Sequence, residues 1–162
     1  MLRVKEALER GAIVGLLGDR ILTNDKGTQC EFFGSATTFD VVSPTGEYLG
    51  GAICPGLTMS LEALFRTTAQ LRRIEIVSPR SSIGKNTVQA MQSGVVWGYI
   101  GLVEGLLARI KRDMGLQDQP VKVIGTGGLA GLLAEHTDCM DVVDVNLTLD
   151  GLRMIWEMNQ EA

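Results

Sequence analysis

The sequence has few of the residues that usually hold metals or cross-links. It contains three cysteines and one histidine in 162 residues, and Cys30, Cys54 and Cys139 lie far apart without forming a C-x-x-C pair. Scattered cysteines in odd number predict neither a zinc site nor a disulfide framework. We therefore assign no metal ligands, and a reducing cytoplasm is the expected compartment. His136 is the only histidine, so we predict no metal site around it and expect it at the exposed end of a helix.

An excess of basic residues is also missing. The formal net charge is −4, whereas proteins that bind nucleic acid usually carry a basic patch or stripe. The segment Met1–Arg10 is charged and lacks the apolar run of a secretory signal. The most apolar later stretch, Val95–Leu107, is too short to span a bilayer and contains Glu104. We expect neither nucleic acid nor a membrane as a partner.

Aromatic residues make up only 5% of the chain, whereas glycine is frequent, with 20 residues. This balance favours a mixed α/β fold with tight turns between strands and helices over a β-sandwich. Residues 1–30 combine a charged helical pattern, a short apolar run and a polar stretch, and we treat them as a divergent N-terminal segment. Residues 31–162 form a clearer pattern and are predicted to be one lobe.

Alternating and helical patterns predict five strands and four helices in the order β-β-β-α-α-β-α-β-α. The predicted strands are Phe32–Phe33, Thr38–Val42, Tyr48–Ile53, Val121–Ile124 and Val142–Val145. The predicted helices run from Leu57 to Leu71, from Val88 to about Arg112, from Leu129 to Glu135, and from an N-cap at Thr148 onward. This order is that of one lobe of the ribonuclease H-like superfamily of sugar kinases, heat-shock chaperones and actin. We expect a mixed sheet with flanking helices.

Two of these helices carry patterns that predict how they pack. The long helix presents one apolar face, formed by Val88, Met91, Val95, Tyr99, Leu102, Leu106 and Ile110. Its glycines, Gly94, Gly98, Gly101 and Gly105, would let a second helix approach closely, either inside the domain or in a dimer. The last helix is expected to be buried through Leu149, Leu152, Ile155 and Trp156.

Two glycine-containing turns are candidates for phosphate binding. The turn Gly34-Ser35-Ala36-Thr37-Thr38 offers hydroxyl and backbone N–H donors between two strands, although an ordinary hairpin explains the same residues. Gly125-Thr126-Gly127-Gly128 lies between a strand and a helix, where a helix N-terminus can receive a phosphate. It departs from the dinucleotide fingerprint because Ala130 stands where the last glycine is required. A tight strand-to-helix turn is the alternative.

Two further motifs bear on a substrate. Ile83-Gly84-Lys85-Asn86-Thr87 resembles the end of a Walker A loop, but Asn86 replaces its serine or threonine. Asn86 or Thr87 could equally cap the long helix, and capping is compatible with anion binding. Asp19-Arg20 could supply a proton acceptor and a carboxylate-binding guanidinium, or form only a surface ion pair.

Several motifs together closely resemble type III pantothenate kinase, in one register over roughly the last 130 residues. They are Gly34 to Val42, Tyr48 to Ile53, Pro55-Gly56, Ser60 to Phe65, Ile83 to Thr87, Thr126 to Leu129 and Leu147 to Leu152. The resemblance implies transfer of the γ-phosphoryl group of ATP to pantothenate, giving 4'-phosphopantothenate in the first step of coenzyme A synthesis. It also implies Mg²⁺, a monovalent cation (K⁺ or NH₄⁺) and a homodimer formed through the helix that starts near Thr87.

The resemblance also implies roles for individual residues. Asp19 would be the catalytic base, Arg20 and Thr87 would contact pantothenate, and the nucleotide would lie against two glycine-containing turns. The nucleotide contacts are Gly34, Ser35, Gly127 and Gly128.

The sequence departs from the family pattern at three places. Phe32 stands where the family has the aspartate that holds the monovalent cation. The upstream motif is Leu17-Gly18-Asp19-Arg20, and its connection to Gly34 is shorter than the family's. The N-terminal lobe with the Asp-x-Gly-Asn-Thr phosphate loop is not found in this sequence. A catalytically inactive dimerising remnant and a regulatory accessory protein are therefore the alternative functions.

Overall fold

The computed structural model describes residues 36–67, 74–116 and 121–160. Contacts divide the chain into two compact units. Among the described residues, the first unit contains 39–52 and 121–160, and the second contains 36–38, 53–67 and 74–116. The elements are β1 (Ala36–Val42), β2 (Tyr48–Pro55), α1 (Leu57–Thr67), α2 (Thr87–Asp113), β3 (Ile124–Gly125), α3 (Ala130–Ala134), β4 (Val142–Val143) and α4 (Leu147–Gln160). A mixed α/β protein is confirmed.

The predicted strand Phe32–Phe33 and the divergent segment 1–30 lie outside the described residues, as does the predicted end of the first helix at Leu71. The described strands form two separate two-stranded sheets, β1-β2 and β3-β4. A single mixed sheet is therefore not present among the described residues.

Strands β1 and β2 form a hairpin whose short link requires an antiparallel pair. The link is closed by hydrogen bonds from Ser43 N to Glu47 O (2.8 Å) and from Gly46 N to Ser43 O (3.0 Å). Gly46 has φ +87°, a conformation that glycine adopts without steric cost. Every residue of β1 from Thr37 to Val41 is buried, whereas β2 alternates between exposed and half-buried positions. Strand β1 is thus the inner strand of the hairpin.

In the second unit, helices α1 and α2 pack against each other. Helix α1 starts directly after Pro55-Gly56, and Ser60 N donates to Gly56 O at 2.9 Å. Leu57 and Leu61, one turn apart, are almost fully buried. This i, i+4 spacing places both leucines on the same helical face.

Both ends of α2 are fixed by local capping, so the predicted helix from Val88 to Arg112 is confirmed within one residue at each end. At the N-terminus, Asn86 Oδ1 accepts a hydrogen bond from Gln89 N at 2.9 Å. At the C-terminus, Gly115 N donates to Arg112 O and Leu116 N donates to Lys111 O, with Gly115 at φ +68°. This pair of bonds is a Schellman motif.

The apolar face predicted for α2 is only partly correct. Met91 and Tyr99 are buried as expected, but Val88 is exposed. The most buried stripe instead consists of Val96, Ile100, Val103 and Leu107. The helix is apolar around much of its circumference, so two stripes satisfy the 3.6-residue period equally well. Spacing alone therefore cannot tell which of the two stripes is buried.

Helix α2 contains 27 residues and is long and apolar enough to cross a membrane by length and composition alone. The prediction against a membrane span considered only Val95–Leu107, which is shorter than the whole helix, and it stays a prediction. One such helix is weak evidence, since the core helix of a globular protein passes the same test.

The first unit contains a small parallel sheet, in which Ile124 pairs with Val142 and Gly125 with Val143. The predicted strand Val121–Ile124 is shifted toward the C-terminus, and Val121 and Val123 are buried in the irregular segment just before it. Asp141 links the segment after α3 to the residues before β3, because its Oδ2 accepts a hydrogen bond from Val123 N at 2.7 Å. Helix α3 packs on both strands.

Helix α4 was expected to be N-capped by Thr148 and buried along one face. It begins one residue earlier, at Leu147, so Thr148 is already inside the helix. None of its residues is buried, and Leu149, Leu152, Ile155 and Trp156 are each more than half exposed. The spacing identified the amphipathic helix correctly, but periodicity does not reveal whether anything covers the apolar face.

Candidate functional site

An open, largely apolar pocket of about 570 Å³ lies between α1 and α2 in the second unit. This volume is in the range of small-molecule sites. Helix α1 contributes Ser60 and Leu64 to the wall, and α2 contributes the larger part. The lining residues of α2 are Thr87, Ala90, Met91, Gly94, Val95, Gly98, Tyr99 and Leu102. The face predicted for α2 thus lines a pocket along much of its length.

The glycines of α2 leave one side of the helix open. A methyl group added at Gly94, Gly98 or Gly101 would meet no atom within 4 Å. Gly94 and Gly98 therefore widen the pocket, because they present only backbone to it. We call the open space at Gly94, Gly98 and Gly101 the glycine notches. No described residue fills these notches, so packing of another helix there is not seen in the described parts of the chain.

Thr87 lies at one end of this pocket as the first residue of α2. It is held by the capping interaction of Asn86, which confirms the alternative in which the Ile83–Thr87 motif caps the helix. A second bond strengthens the cap, because Lys85 N donates to Gln89 Oε1 at 3.0 Å. The Thr87 side chain is exposed, so its hydroxyl is accessible to a ligand in the pocket.

The loop before Thr87 is held against the first turns of α2. Ser93 Oγ donates to Ser82 O at 2.6 Å. A Cβ atom at Gly84 would overlap the backbone of Ala90, so only glycine permits this close approach. These contacts fix the position of the helix N-terminus and hence of Thr87.

A buried hydrogen bond links the pocket to the strand that follows the Gly34 turn. Tyr99, which lines the pocket, shares this bond through its hydroxyl with Thr37 Oγ1. Both side chains are about 5% exposed. Thr37 belongs to the predicted phosphate-binding turn, so the two candidate binding regions meet at this pair.

The Gly125–Gly128 turn lies in the first unit. Gly127 has φ +92° and its carbonyl accepts from Ala130 N at 3.2 Å. Gly125 is tightly enclosed, because an added methyl group would lie 2.6 Å from Met140 Sδ. Gly128 is exposed and a methyl group there would meet nothing. The turn is therefore rigid at its start and accessible at Gly127 and Gly128.

The described residues do not form a complete cation site. They contain no group of three or more His, Cys, Asp or Glu side chains that could hold a metal ion. One oxygen could act as a cation ligand, since Asp40 is 8% exposed and its buried Oδ2 has no hydrogen-bond partner. A single carboxylate oxygen falls short of the six oxygen ligands that Mg²⁺ prefers.

Cys54 is not a candidate nucleophile. Burial raises the pKa of its thiol above the ordinary value, which disfavours the reactive thiolate at neutral pH. His136 follows α3, and its N–H donates to Leu133 O at 2.9 Å. It is half-buried rather than exposed, so the predicted exposed position is wrong. None of the described cysteine or histidine residues is assigned a chemical role.

Of the predicted site residues, the structure places Thr87 in the α1–α2 pocket and Gly127 and Gly128 in the accessible turn of the first unit. Asp19, Arg20, Gly34 and Ser35 lie outside the described residues, as does Phe32. Sequence reasoning did not assign Ser60 or Tyr99 to the pocket. Both belong to features recognised in the sequence, Ser60 to the Ser60–Phe65 motif and Tyr99 to the predicted face of α2.

The described residues define a mixed α/β protein with a pocket of small-molecule size at a capped helix N-terminus. A sequence model of the type III pantothenate kinase family matches residues 31–109. A type III pantothenate kinase from Myxococcus xanthus is 53% identical over 130 residues, which are 80% of this chain and 50% of that protein. One from Koribacter versatilis is 55% identical over 128 residues, covering 79% of this chain and 46% of that protein. Over these residues, the chain is similar to proteins of the type III pantothenate kinase family.

The chain spans about half the length of the curated relatives that it matches. A solved structure from Campylobacter jejuni, described as a conserved Baf family transcriptional activator, has a TM-score of 0.59 to this chain. The match covers 94% of this chain and 60% of that one at 22% identity. At this identity the likeness establishes a shared fold and nothing about activity.

Proposed function

We propose that this chain provides part of the machinery for ATP-dependent phosphorylation of pantothenate to 4'-phosphopantothenate, the first step of coenzyme A biosynthesis. The observation that carries the proposal is the identity of 53% over 80% of the chain to proteins named type III pantothenate kinase. The family match at 31–109 includes all of the residues that line the pocket. The class of enzyme is a phosphotransferase with an alcohol acceptor.

The α1–α2 pocket is the proposed site for pantothenate. Pantothenate combines a branched apolar centre with hydroxyl, amide and carboxylate groups. The pocket offers an apolar wall, including Leu64, Val95 and Leu102, with hydroxyls at Ser60 and Thr87. In this proposal, Thr87 bonds a polar group of pantothenate and Arg20 binds its carboxylate.

The nucleotide is proposed to bind through Gly34, Ser35, Gly127 and Gly128. The accessible backbone at Gly127 and Gly128 supports this assignment, because close approach of a phosphate or nucleoside requires the absence of side chains. Asp19 is the proposed base. Its carboxylate would accept the hydroxyl proton of pantothenate while the γ-phosphorus bonds to that oxygen and its bond to ADP breaks.

The family implies Mg²⁺ and a monovalent cation, K⁺ or NH₄⁺. Because the described residues contain only one orphaned carboxylate oxygen, on Asp40, they do not fit either cation as a complete site. Phe32 replaces the family's aspartate for the monovalent ion, and a phenyl ring cannot coordinate it. We assign no catalytic step to a cation on this chain.

Three further features are proposed on the same basis. The fold is one ribonuclease H-like lobe of the superfamily that joins sugar kinases, heat-shock chaperones and actin. The open glycine notches of α2 support a homodimer formed through this helix. The cytoplasm is the proposed compartment, and neither nucleic acid nor a membrane is a proposed partner.

Substitution of Thr87 tests the assignment of the pocket. Thr87→Val removes the hydroxyl but keeps the shape and the β-branched stem, whereas Thr87→Ser keeps the hydroxyl. In an assay of ADP release with ATP, Mg²⁺, K⁺ and pantothenate, we expect Thr87→Val to raise the KM for pantothenate at least about tenfold. Thr87→Ser should stay within about threefold of the original chain.

Binding of pantothenate by isothermal titration calorimetry provides the same comparison without turnover. Equal affinity in the Thr87→Val and Thr87→Ser variants would refute the role of the hydroxyl. If pantothenate neither binds nor is phosphorylated while the chain is folded, the proposed function is wrong for this chain.

A second candidate function is a non-catalytic remnant that dimerises with itself or with a full-length kinase. Phe32 and the coverage of only about half of each relative favour it. ATP binding without turnover would support this alternative. A regulatory accessory role is the third candidate. The description of the Campylobacter jejuni protein as a transcriptional activator applies to that protein only.

A further inference from the structure

One buried hydrogen bond joins the α1–α2 pocket to strand β1, and the proposed function assigns it no role. Its partners are the hydroxyls of Thr37, the second residue of β1, and Tyr99, in the middle of α2. Both side chains are about 5% exposed, and both residues lie in the second unit. The bond thus connects a strand and a helix of one unit across 62 positions of the sequence.

The two partners of this bond belong to different candidate binding regions. Tyr99 lines the pocket proposed for pantothenate. Thr37 belongs to the candidate phosphate-binding turn Gly34-Ser35-Ala36-Thr37-Thr38, whose last three residues are the first three of β1. A ligand that holds this turn therefore also holds a residue to which the wall of the pocket is bonded.

The surroundings of the pair leave little room for independent movement. Every residue of β1 from Thr37 to Val41 is buried. On α2, the neighbours of Tyr99 include Val96, Ile100 and Val103, which are at most 4% exposed. Closely packed interiors transmit small displacements, and a hydrogen bond weakens steeply when its geometry is distorted. A shift of β1 therefore either moves the Tyr99 ring or breaks the bond.

We propose that Thr37 and Tyr99 form a positioning pair that makes the binding of pantothenate and of ATP cooperative. A nucleotide held at the turn fixes β1, and the bond from Thr37 then fixes the Tyr99 ring in the wall of the pocket. Pantothenate that binds second does not have to order this wall, so its affinity rises. By linkage, pantothenate raises the affinity for the nucleotide by the same factor. The inference rests on the proposed function, because it takes pantothenate and ATP as the two ligands.

Isothermal titration calorimetry on the full chain measures this coupling without turnover. Pantothenate is titrated with Mg²⁺ and K⁺ present, once without nucleotide and once with saturating adenosine 5'-(β,γ-imido)triphosphate, an ATP analogue that resists hydrolysis. We expect the analogue to lower the Kd for pantothenate at least about fivefold, which is the lower end of ordinary coupling between sites. Titration of the analogue with and without pantothenate should give the same factor.

Four variants separate the hydroxyl pair from general stability. Thr37→Val removes one hydroxyl but keeps the β-branched stem, and Tyr99→Phe removes the other but keeps the ring. Each should reduce the coupling to less than about twofold, whereas Thr37→Ser keeps the hydroxyl and should keep the coupling. Ile100→Val removes one buried methyl group from the same helix, so it should lower the melting temperature but leave the coupling unchanged. All titrations are made at a temperature at which circular dichroism shows every variant to be folded.

The outcomes distinguish this inference from the proposed function. If the original chain binds both ligands but neither affects the other, the inference is wrong and the proposed function stands. Coupling that persists in Thr37→Val and Tyr99→Phe would overturn the inference too, since the ligands would then act on each other by another route. An equal loss of coupling in Ile100→Val would show general loosening instead of positioning by the pair. Absence of pantothenate binding by the folded chain would overturn both the inference and the proposed function.

Discussion

At the scale of single residues, the bond between Tyr99 and Thr37 is the contact with the clearest consequence. It joins two side chains 62 positions apart, both buried, in the strand and the helix that carry the candidate binding regions. Removing one hydroxyl leaves the other without this partner at a buried position. A buried polar group that loses its partner costs about 1–3 kcal/mol.

We therefore expect Tyr99→Phe to lower the free energy of unfolding by about 1–3 kcal/mol. The matched control is Tyr48→Phe, which removes the hydroxyl of the only other tyrosine, at a position 66% exposed. It should change stability by no more than about 0.5 kcal/mol. Urea unfolding with an unchanged slope provides both values.

Thr37→Val combined with Tyr99→Phe completes a double-mutant cycle. The second substitution should cost less in the presence of the first, because both hydroxyls are then gone and neither is left unpaired. Strictly additive losses would show that the two side chains do not interact, and the link between the pocket and the strand would have to be abandoned.

At the scale of elements, the N-terminus of α2 depends on a glycine outside the helix and tolerates change at glycines inside it. Gly84→Ala should destabilise the chain by about 1–3 kcal/mol, because the added methyl group overlaps the backbone of Ala90. Gly101→Ala adds the same methyl group where nothing lies within 4 Å. Alanine is the better helix former, so this variant should gain about 0.5–1 kcal/mol.

Thermal unfolding monitored by circular dichroism distinguishes the Gly84→Ala and Gly101→Ala variants, because their melting temperatures should move in opposite directions. A change of 1 kcal/mol corresponds to about 2–4 °C for a chain of this size. If Gly84→Ala leaves the melting temperature unchanged, the loop does not hold the helix N-terminus. A loss of stability in Gly101→Ala that depends on protein concentration would instead indicate a partner helix in the glycine notch.

The elements also show what the sequence could and could not predict. The bounds of α2 were predictable because Asn86 and Gly115 act within a few residues of the helix ends. The strand predicted at Val121–Ile124 was displaced, since buried valines have the same pattern in a strand and in the irregular segment just before one. The burial predicted for Leu152 and Trp156 failed because the pattern describes one helix and burial depends on what packs against it.

The candidate site was predictable to a similar extent. Thr87 was found from a motif, and the pocket beside it confirms its accessibility but not its role. Tyr99 was visible only as a member of an apolar stripe, because its hydrogen bond to Thr37 depends on tertiary contacts across 62 residues. Spacing in the sequence cannot reveal such a pair.

At the scale of the whole molecule, phosphoryl transfer requires groups on both sides of the nucleotide. Catalysis of this reaction is mostly positioning and charge stabilisation, and the chain matches only about half the length of its relatives. We expect pantothenate to increase ADP release by the isolated chain, but with a kcat at least about a hundredfold below that of the full-length Myxococcus xanthus kinase assayed in parallel.

Within this low rate, Thr87→Val should raise the KM for pantothenate and leave kcat within about threefold, because only a ligand contact is lost. A kcat of the isolated chain equal to that of the full-length kinase would show that half of the relatives' length is sufficient for catalysis, and the expected loss of rate would be wrong.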